Sequence, residues 1–179
     1  MSDAAGGMRE QVVLDSRPPE HFKKFHRRAR AKDPKWVYEA VRLLVVPFSR
    51  LVYRLEGRGL ENIPTKGAVI FAPNHASNMD HFFAGVFTSR RVRFMAKSQL
   101  FRRPIQWIIS PGGVFPVCRG QKDTDAMLTA RLLLDKDQLV LLYLGGGRVR
   151  DGKIGDKAYP GIGKLALVSG APVIPIAIY

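Results

Sequence analysis

Asn74-His75-Ala76-Ser77-Asn78-Met79-Asp80 decides how this chain is read, together with the apolar run ahead of it, Ala68-Val69-Ile70-Phe71-Ala72. Five successive apolar residues ending at Pro73 read as a short strand buried on both faces. A histidine five residues before an aspartate follows at once. Positions five apart on a regular helix are rotated by roughly 140° and do not face each other. His75 therefore meets Asp80 only from the turn ahead of a helix that contains Asp80. That geometry sets an imidazole at the mouth of a sheet, where open α/β folds bind ligands. A general base oriented by a carboxylate is the chemistry it suggests. Taken alone, the same spacing serves equally a loop histidine bonded to a helix-start aspartate.

Outward from this turn, strand candidates recur at 92–96, 114–118, 139–144 and 173–178. Between them lie helix-spaced stretches at 81–89, 101–110, 123–135 (with Thr124 as its cap) and 162–169. Apolar strands alternating with helices predict an α/β domain over residues 56–179, its largely parallel sheet flanked by helices. The chain has 179 residues and one cysteine, Cys118, so neither a disulfide framework nor a cysteine-built zinc site is available. Cys118 lies in an apolar run and reads as core.

Charge narrows the partners. The formal net charge is +14, which calls for an anionic partner. Residues 21–35 carry seven Lys or Arg against one Asp, and residues 1–35 read as a flexible basic arm. Residues 36–55 are amphipathic: Glu39, Arg42, Ser49, Arg50 and Arg54 fall within about 140° of one helical face, and the rest is Trp, Tyr, Phe, Leu and Val. Pro47 should kink or split this segment. Its four charges oppose a spanning helix, and its aromatics and wide apolar face suit one lying in a membrane interface. Packing on the domain's own core is the other reading. From His81 to Lys122 there are eight Lys or Arg and no acid, a pattern that suits an anion groove or a basic surface turned toward an anionic membrane.

The Asn-His-x-Ser-x-x-Asp string resembles the signature of the glycerolipid acyltransferases, the 1-acylglycerol-3-phosphate acyltransferase type. Three further blocks follow in that family's order. Gly112 to Gly120, GGVFPVCRG, is similar to its strand block ending in a phosphate-binding arginine, here Arg119. Tyr143 to Lys153, YLGGGRVRDGK, is similar to its F-P-E-G-T-R-S block, with Arg148 matched. Ala171 to Ile176 resembles its V-P-I-V-P-V strand, and Met95 to Leu100, with Lys97, its A-K-x-E-L run. The family's glutamate falls on Gly145, so the Gly145-Gly146-Gly147 loop offers backbone N–H groups and no carboxylate.

The resemblance implies transfer of a fatty acyl group from an acyl thioester, acyl-CoA or acyl-carrier protein, to the hydroxyl of lysophosphatidic acid or a related lysolipid, without a cofactor or metal. His75 is then the base and Asp80 its orienting carboxylate. Arg119, Arg148, Lys97 and the glycines Gly145, Gly146 and Gly147 line the acceptor's phosphate site. The implied partners are a lysophospholipid, an acyl thioester and an anionic membrane surface. Attachment is expected to be peripheral, at the cytoplasmic face, with no nucleic acid bound. Two readings stay open: a lipid-binding relative with weak or no catalysis, for want of the glutamate, and a basic nucleic-acid binder.

Overall fold

The structure, a computed structural model, describes residues 14–34, 36–145, 148 and 160–179. Five strands form one parallel sheet: β1 (Val69–Pro73), β2 (Val92–Lys97), β3 (Phe115–Val117), β4 (Leu139–Leu141) and β5 (Val173–Ile176). Their spatial order is β3-β2-β4-β1-β5. β1 lies between β4 and β5, with Phe71 opposite Leu141 and Ile174. Because every pair is parallel, all five C-terminal ends point to the same edge.

Alternate side chains of the central strands enter two cores. Ile70, Ala72, Val140 and Leu142 pack with Leu133 and Leu134 of α5 (Thr124–Leu134) and with Ile162 and Leu165 of α6 (Gly161–Ser169). Val69, Phe71, Leu139 and Leu141 pack on the other face with Val92 and with Ala84 of α3 (Asp80–Val86). A strand buried on both sides has no polar face, which is why these runs are continuously apolar. α5 is capped by Asp123, whose carboxylate accepts from the Ala126 N–H at 2.9 Å, and not by the expected Thr124. Its acceptor-only carboxylate is a strong cap, and Thr124 is already inside the first turn.

Two helices precede the sheet. α1 (Lys23–Ala31) replaces the flexible arm expected over this part of residues 1–35, whose first thirteen residues lie outside the described ones. Phe22 and Phe25 are buried with Phe101, Ala96 and Cys118. Arg93, 1% exposed, sends its guanidinium to the carbonyls of Ala29 and Lys32 (3.2 Å for the latter). A cation on the last carbonyls of a helix is favourable by both hydrogen bonding and dipole. The charge run had hidden this stripe of buried aromatics. Gly113, at φ 91°, lets β3's entry pass the Pro34 ring, where a Cβ would come within 3.0 Å.

α2 (Trp36–Val52) runs undivided through Pro47, where a kink or split was expected. The missing N–H deprives the carbonyl four residues back, that of Leu43, a residue on the outer face of the helix and 76% exposed. The remaining short helix, α4 (Gln106–Ile109), covers only part of the expected 101–110.

Candidate active site

The turn after β1 is built by Asp80. Its Oδ2 accepts from the N–H groups of Ala76 (2.7 Å) and Ser77 (2.8 Å), and from His75 Nδ1 (2.9 Å). A carboxylate only accepts, so Nδ1 carries the proton and the Nε2 lone pair is left unprotonated. Asp80 is 1% exposed. Ser77 Oγ accepts from the Met79 N–H at 3.1 Å, the turn role read for it from sequence. Asn74 completes the frame. Its side chain donates to the Ile178 carbonyl and accepts the Ile178 N–H, both at 2.8 Å, which fastens the end of β1 to the chain leaving β5. The sequence reading gave Asn74 no role.

Burial pushes the His75 imidazole below its ordinary range. The Asp80 hydrogen bond and charge pull it back up, and the positive charges of Arg119 and Arg148 lower it further. The net direction is down, so the ring is neutral near neutral pH and able to take a proton.

The other expected residues lie along the same edge of the sheet. Lys97 ends β2 opposite Val117 of β3, and Arg119 follows two residues later. Asp123 steadies that turn, accepting the Cys118 N–H at 2.8 Å while it caps α5. Arg148 donates to Asn78 Oδ1 at 3.1 Å, within the His75–Asp80 turn itself. The fields of Arg119 and Arg148 both reach His75 and His81. Gly145 is exposed just beyond β4, and Gly146 and Gly147 lie outside the described residues.

Two residues near His75 went unassigned from sequence. Tyr143 stacks on the His75 ring with centroids 4.0 Å apart and planes 20° apart. His81 shares a hydrogen bond of 2.9 Å between its Nδ1 and the Tyr143 hydroxyl. Burial, then the neighbouring His75, lowers His81 to about 4. Among the described residues, no group of three or more His, Cys, Asp or Glu could hold a metal ion.

His81 also faces an apolar cavity of about 280 Å³. α2 walls it with Val41, Val45 and Val46, α3 with Phe82 and Gly85, and the α4 side with Ile108 and Ile109. A Cβ at Gly85 would meet Phe94 at 3.6 Å, an ordinary van der Waals contact, so the wall is closely packed there without being strained.

A family model described as Acyltransferase matches residues 54–179. The chain is 31% identical over 127 residues to a 1-acyl-sn-glycerol-3-phosphate acyltransferase of Pseudomonas aeruginosa, a match covering 69% of this chain and 49% of the relative. It thus spans about half the length of that curated relative. Among solved structures, the crystal structure of the 1-acyl-sn-glycerophosphate (LPA) acyltransferase PlsC from Thermotoga maritima has a TM-score of 0.60 at 23% identity, covering 87% of this chain and 65% of that one. That likeness is one of fold, and it is the same α/β fold, a parallel sheet flanked by helices. The matched stretch contains the histidine–aspartate turn, the arginine strand block and β5, and this chain belongs to the acyltransferase family.

Proposed function

We propose that the chain is a membrane-associated O-acyltransferase that moves a fatty acyl group from an acyl thioester to the hydroxyl of lysophosphatidic acid or a related lysolipid. The observation that carries this reading is the 2.9 Å contact from His75 Nδ1 to a buried Asp80, which leaves Nε2 free as the base. The acceptor hydroxyl gives its proton to Nε2 as its oxygen attacks the thioester carbonyl. The tetrahedral intermediate collapses, the C–S bond breaks, and the imidazolium returns the proton to the departing thiolate. Asp80 stabilises the imidazolium between those two transfers. Base catalysis of this kind typically contributes ~10²–10⁴-fold. Arg119 and Arg148 hold the acceptor's phosphate, with Lys97 and the Gly145 to Gly147 backbone beside them, since guanidinium forks match phosphate oxygens. The apolar cavity reached through His81 takes the acyl chain. No metal or cofactor is needed for this sequence of steps.

The orientation of α2 supports the membrane part. Arg42 donates to the Thr88 carbonyl at 2.7 Å, Glu39 accepts from Arg91 at 2.8 Å and Ser49 is buried, so its polar side faces the domain. Trp36, Leu43, Leu44 and Leu51 are each more than two-thirds exposed, and Trp107 and Ile108 are exposed across the cavity. No helix among the described residues is long and apolar enough to cross a bilayer. Such a surface suits docking at the interface of a membrane, on its cytoplasmic face, where anionic lipids meet the basic α1.

Gly145 favours a second reading, a lipid-binding relative, because a glycine has no side-chain carboxylate to accept a bond from the attacking hydroxyl. One assay separates the two: labelled acyl-CoA and acyl-carrier protein offered with a panel of lysolipids to the parent and to His75→Ala. Transfer by the parent that the variant lacks, at unchanged thermal stability, is the expected result. A parent that binds lysolipid and transfers nothing would establish the second reading instead.

A further inference from the structure

Asp80 fixes one atom of His75, and one hydrogen bond leaves the imidazole free to swing about that contact. A second restraint is needed to aim Nε2. Tyr143 supplies a plane: its ring lies 4.0 Å from the imidazole and 20° from parallel to it. The Tyr143 ring is in turn held at its far end by His81 Nδ1, at 2.9 Å. The three rings close on one another, with His81 5.3 Å from His75 and 5.4 Å from Tyr143. Together they leave the His75 side chain 7% exposed.

We propose that Tyr143, anchored by His81, is a positioning residue for His75: its stacked ring sets the plane of the imidazole and shuts water from one face of it. This rests on the reading of His75 as the base. The anchor stays neutral under working conditions. Burial, with the adjacent His75, keeps His81 down at about 4, and burial pushes the Tyr143 phenol well up. A neutral pair holds the ring without adding a charge beside the base. The groups that act electrostatically on His75 are then Asp80 from α3, Arg119 after β3, and Arg148, with His81 beside it neutral. Removing Tyr143 changes none of these charges. It changes only the hydration and the aim of the ring.

The test compares Tyr143→Phe, which keeps the stack, with Tyr143→Leu, which removes it, and reads the His75 imidazole by NMR titration of the full chain. In the parent and in Tyr143→Phe, His75 should titrate below its ordinary value of about 6.5. In Tyr143→Leu it should move up towards that value, because the desolvation that holds it down is relieved. Acyl transfer should follow, with kcat lower by roughly tenfold to a hundredfold in Tyr143→Leu from misalignment of the base, and lower by only a few-fold in Tyr143→Phe, which keeps the stack and loses the His81 anchor. If the leucine variant does not fold, Tyr143→Met, a flexible side chain of similar reach, carries the same expectation. An unmoved His75 titration in the unstacked variant overturns the proposal, as does a Tyr143→Phe variant as damaged as Tyr143→Leu. The NMR reading does not depend on turnover, so an inactive parent would count against the acyl-transfer reading and leave the positioning result to stand or fall alone.

Discussion

α1 and α2 are consecutive helices, both amphipathic, and they face opposite ways. α1 turns Phe25, His26 and Ala29 into the domain and leaves Lys23, Lys24, Arg27 and Arg28 outside. α2 turns a mixed side inward and an apolar one outward: Tyr38 and Ser49 are buried, Val41, Val45 and Val46 line the cavity, Arg42 is bonded to the domain, and Leu43, Leu44 and Leu51 point out. Periodicity tells that a helix has two faces. It does not tell which face the domain takes, because that depends on what waits across the contact. For α1 the partners are Phe101, which lies 4.9 Å from Phe25, and Thr129, which lies 3.0 Å from His26 Nδ1. For α2 they are the carbonyls of Thr88 and Ser89 at the end of α3, acceptors that an arginine satisfies and a leucine does not.

The contrast can be broken most forcefully at the outer face of α2. Withdrawing Leu43, Leu44 and Leu51 from an apolar phase costs about 1.5–3 kcal/mol each. Replacing all three by glutamate should then weaken binding to anionic vesicles by at least about a thousandfold, with little change in thermal melt. Retained vesicle binding in a sedimentation assay would mean that another surface meets the lipid.

A smaller effect sharpens the same contrast from inside. Phe25→Ala should lower the unfolding free energy by about 3–5 kcal/mol, as a buried aromatic lost from a packed cluster. Leu51→Ala, 78% exposed in the parent, should stay within about 0.5 kcal/mol. Denaturant melts measure both. Equal losses would show that α2's outer face is covered by protein after all.

The legible and illegible parts of this molecule divide along the same line. β1 and β4 are buried on both faces, so their identity is written in consecutive apolar residues and the periodic helices between them follow. His75 and Asp80 were readable because turn geometry ties them within one local motif. Tyr143 and His81 were not, since they stand 62 positions apart and meet only when β4 settles beside β1. Asn74 was quoted within the motif, yet its partner is Ile178, more than a hundred residues on. The helical α1 was masked by its own surface: seven cations in fifteen residues outweigh the phenylalanine and the histidine that it buries, Phe25 and His26. Local rules carry as far as the local contacts do.

The central claim is that a neutral, Asp80-oriented His75 takes the proton of a lysolipid hydroxyl. Its most direct measurement is kcat/KM for acyl transfer against pH, by the parent and by Asp80→Asn. The folded His75 is depressed, so the base form persists below the ordinary imidazole range and is lost only as pH falls through that lowered value. The parent should therefore show an acid limb with its midpoint below about 6.5. The amide can keep an oxygen in the place of Oδ2 while losing the charge that stabilises the imidazolium, and transfer should fall by roughly 10²–10⁴-fold. An acid limb at or above the ordinary imidazole range, or near-parent turnover in Asp80→Asn, would contradict the account and make the His75–Asp80 pair a structural one.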